Sequence, residues 1–271
     1  MAHIPPFFLD TVIAIGAKND KDELVWIGTG FIVGRESEPD SNKFHTFLVT
    51  NKHVLKDQKI AFFRVNPQSN AKATDYPIVL KNDQNNVFWT GHPSDDIDVA
   101  VLPFSTGFLK AEKMQCAFFE PKHIISKKEM IESGVSEGDF VYVLGFPMNL
   151  VDNERKYVIA RSGVIARIKN YLEGFSKDFL IDSFVFPGNS GGPVINKTEI
   201  SGIQDTKFLQ RACLIGMVQS YIPYRDVAIS LQTKELRSIS VENSGLASVI
   251  PTDFILETIE IAYSKIPLDK K

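Results

Sequence analysis

Ser190 stands inside FVFPGNSGGPVI (Phe184 to Ile195), where the middle six residues hold three glycines, an asparagine, a proline and one hydroxyl. A serine hydroxyl is a weak nucleophile at neutral pH and needs a neighbouring base to take its proton. The usual base is an imidazole, held in one tautomer by a third group. Five histidines are available: His3, His45, His53, His92 and His123. His53, in FLVTNKHVL, follows an apolar run that ends at Thr50, and a strand end is a rigid place from which to aim a ring. His92, in TGHPSDD, lies in a loop three residues from an acidic cluster and is the weaker choice. The carboxylate comes from SDDIDVAVLPF, where Asp95, Asp96 and Asp98 precede an apolar run. A carboxylate at the head of a buried strand is costly to desolvate unless it is paired. Asp98 touches the apolar run most directly and is preferred to Asp96.

Glycines take positive φ and let a substrate backbone approach closely. The turn Gly188-Asn-Ser-Gly-Gly192 can therefore aim the N–H groups of Gly188 and Ser190 at one point, which is what a developing oxyanion requires. Pro187 and Pro193 on either side favour a stiff turn over a loose one. The chemistry implied is nucleophilic acyl transfer, with a base at the end of an early strand, an acid at the head of a middle strand and a hydroxyl far downstream.

The elements that must position these groups read as short β-strands rich in Val, Ile, Phe and Tyr, bounded by Gly, Pro, Asn and Asp. They fall near TVIAIGA, LVWIGTGFIVG, FHTFLVT, KIAFFRV, DVAVLPF, DFVYVLGF, KYVIARSGVIARI, DFLIDSFVF, GGPVI, ACLIGMVQSYI and ASVI. Strands this short and numerous predict an all-β sandwich or barrel. Helix signals are few. Ser126 and Glu129 have capping-box spacing, and PTDFILETIEIAYSK puts Ile255, Ile259 and Ala262 on one face. Strand signals lapse from about Ser105 to Glu137, the natural place for a crossover between halves.

With 271 residues, 44% apolar and 23% charged, the chain is an ordinary globular one with room for a large core. A net charge of −3 gives no reason to expect nucleic acid or an anionic membrane as partner. Two cysteines, Cys116 and Cys213, lie far apart in strand-like runs and are expected as buried thiols; no metal site and no cofactor is expected. The N-terminus MAHIPPFFLDTVIAIG lacks a basic start, a long apolar stretch and a cleavage site. A cytoplasmic protein is therefore expected, with a trimmed secreted or periplasmic form as the alternative.

Taken together, the motifs resemble the trypsin-like (chymotrypsin-fold) serine peptidases, and within them the bacterial Deg/HtrA protease domains. The resemblance runs from about Gly28 to Glu260. GTGFIV resembles the family's Gly-Ser-Gly strand, VTNKHVL its histidine motif and DVAVL its aspartate motif. GDFVYVLGFP and RSGVIARI resemble the next two strands, PGNSGGPVI the nucleophile motif, LIGMVQSYI the strand lining the primary pocket, and SVIPTDFI the entry to a C-terminal helix. The resemblance implies a single domain with two six-stranded antiparallel barrels and the active site between them. The barrels are expected at 1–118 and 136–250, with a crossover at 119–135 and a C-terminal helix and tail at 251–271. It implies His53 as general base, Asp98 as its orienter, Ser190 as nucleophile, and Gly188 and Ser190 as oxyanion donors, acting on protein or peptide substrates. Phe184 falls at the base of the substrate pocket, with Gln219, Ser220 and Tyr221 along its wall. No acid at that base predicts cleavage after small or medium apolar residues rather than Lys or Arg. The near absence of disulfides departs from secreted members and fits a reducing compartment. Asn189 stands where zymogens carry an Asp that pairs with a freed N-terminus, so no such switch is expected. A peptidase-fold module that binds peptides without cleaving them is the alternative function; the assembly state is left open by the sequence.

Overall fold

The structure, a computed structural model, describes residues 4–38, 43–198 and 211–266. Seven strands form the first sheet: β1 (Val12–Lys18), β2 (Leu24–Glu36), β3 (Phe44–Thr50), β4 (Ile60–Val65), β5 (Thr74–Val79), β6 (Thr90–Gly91) and β7 (Ala100–Pro103). Six form the second: β8 (Phe140–Gly145), β9 (Ile159–Arg167), β10 (Phe179–Asp182), β11 (Pro193–Asn196), β12 (Leu214–Ile229) and β13 (Leu236–Pro251). The α-helices are α1 (Pro6–Thr11), α2 (Lys52–Leu55), α3 (Thr106–Ala111), α4 (Lys127–Ser133), α5 (Lys169–Leu172) and α6 (Thr252–Tyr263).

The second sheet closes into a six-stranded barrel in the order β10-β13-β12-β11-β8-β9. The first does not close, which corrects the expectation of two six-stranded barrels: it is an open seven-stranded sheet in the order β5-β4-β1-β2-β3-β7-β6. The reason is local. β5 hydrogen-bonds along its length only to β4, and β6, two residues long, pairs only with β7. The polar run between them, KNDQNNV, makes a tight turn with Asn85 at φ 62° and one isolated bridge from Lys81 to Val87. Polar turn residues satisfy one another there and leave too little strand to complete a ladder.

Period-two alternation divides the apolar residues among three cores. Ile13, Ile15, Ile32, Leu48 and Leu102 fill the curl of the first sheet. Val141, Val143, Ile165, Ile181, Val194 and Val249 fill the closed barrel. Their strand neighbours Val12, Phe31, Val33, Phe47 and Val101 point the other way, onto Leu144, Phe146, Ile195, Leu214 and Ile250 from the barrel. Strands with both faces covered read as continuous apolar runs, which is why the sequence shows few clean alternations. α6 seals this middle core with Ile255, Ile259 and Ala262. Helix α4 forms as its sequence predicts, with Ser126 and Glu129 completing a reciprocal capping box and Gly134 closing it at φ 74°.

The loop after β8 is clamped to the first sheet. Asn66 Nδ2 donates to the Lys156 carbonyl (2.8 Å) and its Oδ1 accepts from Lys156 N (2.6 Å), while Arg64 Nη1 donates to the Asp152 carbonyl (2.7 Å). Lys156 is 4% exposed and its Nζ donates to the Val12 carbonyl at 2.5 Å, with no carboxylate among the described residues within bonding distance. Burial pulls its pKa down from 10.5 to about 8. The folded chain therefore releases this proton near pH 8 while the unfolded chain holds it to about 10.5, so stability rises with pH across that window. Below pH 8 the full cost of the buried charge is present, roughly 3 kcal/mol. Lys156→Met is expected to be more stable than the wild type at pH 7, with the gap shrinking toward pH 10. Chemical denaturation midpoints at both pH values check this, and a gap independent of pH would contradict it.

β12 and β13 run far beyond the strands expected from ACLIGMVQSYI and ASVI. Their outer halves form a two-stranded ribbon.

Candidate active site

Asn51 begins the single turn α2. Val54 and Leu55 bury in the first core, which leaves Lys52 and His53 facing outward. Lys52 Nζ donates to the Ser94 carbonyl (2.9 Å), tying this turn to the loop that carries the acids. Asp98 is gripped from three sides. Its carbonyl accepts from Asn51 Nδ2 (2.8 Å), its Oδ1 from the His53 backbone N–H (3.1 Å), and its Oδ2 lies 2.5 Å from His53 Nδ1. That last contact places the ring proton on Nδ1 and leaves Nε2 with its lone pair. The imidazole side chain is 51% exposed and the carboxylate 18%, so the ring faces solvent while its acid is shielded.

The neighbouring acids do other things. Asp96 forms an exposed ion pair with Lys177 (3.0 Å), and Asp95 is exposed. His92 is buried on α6: its Nδ1 accepts from Ser94 N (3.1 Å), its ring packs edge-on against Phe254 (5.6 Å), and Nε2 lies 3.3 Å from Glu257. That contact lacks hydrogen-bond geometry and leaves Nε2 without a partner. Thus the histidine weighed as an alternative base is part of the core and does not reach Ser190.

The serine turn is held as a rigid frame. Every carbonyl from Pro187 to Ser190 has a donor: Met148 N for Pro187 (2.6 Å), Thr29 Oγ1 for Gly188 (2.6 Å), Gly192 N for Asn189 (2.8 Å) and Thr29 N for Ser190 (2.9 Å). Three of the five N–H groups from Gly188 to Gly192 are also committed: Asn189 to the Phe186 carbonyl, Gly191 to Val218 and Gly192 to Asn189. Among the described residues, the two uncommitted N–H groups are those of Gly188 and Ser190. In a trans peptide the N–H points opposite to the C=O. Pinning the Pro187 and Asn189 carbonyls therefore turns the Gly188 and Ser190 N–H groups the other way, free of any internal acceptor.

Two glycines are required by space as well as by φ. Gly188 (φ 97°) has no room for a Cβ against the Phe146 carbonyl, and Gly191 (φ 82°) none against the Thr29 carbonyl and the Thr50 hydroxyl. This close approach seats the turn of the closed barrel on β2 and β3 of the open sheet, next to α2. Asn189 is fully buried; its Oδ1 accepts from Phe186 N (3.0 Å) and its Nδ2 has no partner.

The Ser190 hydroxyl donates to the Gln219 carbonyl at 3.3 Å and makes no hydrogen bond to His53. Gln219 is half-buried, Ser220 exposed and Tyr221 half-buried, all on β12 where it pairs with β13 at Ala247 and Ser248. Phe184 is 51% exposed and outside every core; its ring stacks on Phe186 (6.5 Å, 16°) and its edge lies beside Gly245, 3.6 Å from where a Cβ would stand. Asp182 Oδ1 is 3.9 Å from the same point and is the nearest carboxylate to it. A cavity of about 380 Å³ lies elsewhere, between β2, the 119–135 segment and α6, and shares no lining residue with this site.

Sequence reasoning missed Thr29, Asn51, Met148 and Asn149. Met148 and Asn149 hold left-handed φ of 55° and 57° beside Gly188. Their signal was weak, because only contacts between distant segments reveal them. Thr29 carried a trace in GTG, the stretch resembling Gly-Ser-Gly.

A closed barrel and an open sheet that meet at a buried serine turn and an imidazole–carboxylate pair define a peptidase scaffold. Residues 28–200 match the sequence model of the trypsin-like peptidase domain, and the chain belongs to that family. A solved structure titled "Structure of GrC" is similar to it at 13% identity and a TM-score of 0.48, over 95% of this chain and 97% of that one.

Proposed function

We propose that the chain is a serine endopeptidase that cleaves protein or peptide substrates through an acyl-enzyme. The observation that carries this is the pair of uncommitted N–H groups, Gly188 and Ser190, in a turn whose other backbone groups are nearly all engaged. Donors held ready where charge develops, at no cost of reorganisation, are the largest single source of catalysis in acyl transfer. In this mechanism the Ser190 hydroxyl turns from the Gln219 carbonyl toward His53 Nε2 as substrate enters. Nε2 takes the proton while Oγ attacks the scissile carbonyl, and the oxyanion settles on the two N–H groups. Asp98 stabilises the imidazolium through Nδ1. His53 then protonates the leaving amine, and water attacks the ester by the same route in reverse. Within the family, GTGFIV, VTNKHVL and PGNSGGPVI favour a bacterial Deg/HtrA-type domain.

The side chain before the cleaved bond would meet Phe184, Gln219, Ser220 and Tyr221. An aromatic edge beside Gly245 suits small or medium apolar side chains. One observation favours a second reading, a peptide-binding module with a resting site: Ser190 donates to Gln219 and not to His53.

Incubating an unfolded protein and a peptide library with wild type and with Ser190→Ala, then sequencing the fragments, separates the two. Cleavage by wild type alone, after residues such as Ala, Val or Leu, is expected. Fastest cleavage after Lys or Arg would assign Asp182 to the pocket and overturn the apolar preference. Peptide retention by both proteins with no fragments would establish the binding module.

A further inference from the structure

His92 is buried, 7% exposed, and takes no part in the acyl transfer itself. It nevertheless opens the loop that carries Asp98. Its backbone N–H donates to the Val99 carbonyl (3.0 Å), so residues 92–99 close on themselves with Asp98 just inside the closure. Two residues on, Ser94 is gripped at both of its backbone groups. Its N–H donates to His92 Nδ1 (3.1 Å), its one acceptor among the described residues. Its carbonyl accepts from Lys52 Nζ (2.9 Å) and from Ile97 N (3.2 Å). The bond from Ile97 closes the four-residue turn Ser94–Ile97, which hands the chain directly to Asp98. Lys52 comes from α2, beside His53. Ser94 thus ties the turn before the acid to the turn that carries the base.

The His92 ring is fixed from its other side by α6. It packs edge-on against Phe254 (5.6 Å), and its Nε2 lies 3.3 Å from Glu257. Because Nδ1 accepts from Ser94 N, the neutral ring carries its proton on Nε2. That buried Nε2 has no hydrogen-bond partner, so an apolar side chain would fill this place in the core at less cost. What imidazole supplies, and an apolar side chain cannot, is the acceptor for Ser94 N–H. We propose that His92 is a positioning residue for the triad: through Ser94 it holds the turn that sets where the Asp98 carboxylate meets His53. The inference rests on the reading of His53, Asp98 and Ser190 as a catalytic triad. Misplacing a catalytic group by about 1 Å can cost on the order of a hundredfold in rate.

Two substitutions separate this role from packing. His92→Leu fills the space but leaves Ser94 N–H without its acceptor. His92→Asn gives up the ring, yet its Oδ1 can accept from the N–H two residues on, in a turn that asparagine before proline favours, and Pro93 follows. His92→Leu is expected to lower kcat about tenfold to a hundredfold with KM nearly unchanged. His92→Asn is expected to keep kcat near the wild-type value, although its denaturation midpoint falls below that of His92→Leu. A role in packing alone predicts the opposite order of activities. Nitrogen NMR shifts of the His53 ring read the same geometry without turnover. The proton is expected on Nδ1 in wild type and His92→Asn, and largely on Nε2 in His92→Leu. That pattern in a protein that cleaves nothing would support the inference and overturn the peptidase reading. Wild-type kcat and an unmoved His53 proton in His92→Leu would overturn the inference and leave the peptidase reading standing. A folded His92→Asn protein as impaired as His92→Leu also overturns it. Should either ring variant fail to fold, Lys52→Met frees the carbonyl side of Ser94 and is expected to lower kcat with KM unchanged; an unchanged kcat there counts against the inference.

Discussion

Under the proposed mechanism, replacing Asp98 by Asn is expected to lower kcat about ten-thousand-fold, with KM nearly unchanged, the scale of losing the orienting aspartate in serine–histidine–aspartate enzymes. The geometry gives the reason. Asp98 spends Oδ1 on the His53 backbone N–H (3.1 Å) and Oδ2 on Nδ1 (2.5 Å). Asn has one oxygen, and the backbone N–H can only donate, so that oxygen stays with it. The amide NH₂ then faces Nδ1 and donates. The imidazole must shift its proton to Nε2, the atom that should receive one from Ser190, and the base is lost although the fold is kept. Asp96→Asn is the matched control: its partner is the exposed Lys177, a pair worth about 0–1 kcal/mol, and kcat should stay within about twofold. A rate for Asp98→Asn within tenfold of wild type would remove His53 and Asp98 from the mechanism.

Gly188→Ala is expected to cost roughly 100- to 1,000-fold in kcat, the scale of losing one oxyanion donor. A Cβ at Gly188 would collide with the Phe146 carbonyl and stand 2.7 Å from Asn149 Oδ1 and 2.9 Å from Asn149 N. These are backbone atoms and the end of a short side chain, in a segment already bent to left-handed φ at Met148 and Asn149. Relief requires moving the 187–188 peptide, which breaks the Met148 N–H bond to Pro187 and turns the Gly188 N–H away. The φ of 97° adds strain of roughly 1–3 kcal/mol for any L side chain, so the denaturation midpoint should fall too. Gly107→Ala, in α3 with its nearest atom 4.0 Å from the new Cβ, is the control and should be neutral or slightly stabilising. Full activity in Gly188→Ala would mean that this turn does not hold the oxyanion.

The parts of the molecule that a reader of the sequence could name are those set by local pattern. FHTFLVT supplies β3 residue for residue, and Ser126 with Glu129 announces α4. Ser190, His53 and Asp98 could each be picked out because each sits where an apolar run meets a turn. That His53 and Asp98 touch across 45 residues is a property of the fold alone, as is the direction of the Ser190 hydroxyl. The open first sheet was not legible, because strand count says nothing about whether KNDQNNV leaves enough ladder to close it. The ribbon escaped for another reason: VAIS and LRSISV are ordinary amphipathic runs broken by LQTKE, and nothing local says that they continue two barrel strands into solvent. Nothing local marks Lys156 either, since only the fold shows it reaching the Val12 carbonyl.

Labelling with a fluorophosphonate probe, read by peptide mass spectrometry, asks most directly whether Ser190 is an activated nucleophile. Wild type is expected to carry one adduct, on Ser190, formed much more slowly in Asp98→Asn and absent in Ser190→Ala. A folded wild type that takes up no probe, or a Ser190→Ala protein labelled as fast as wild type, would contradict it.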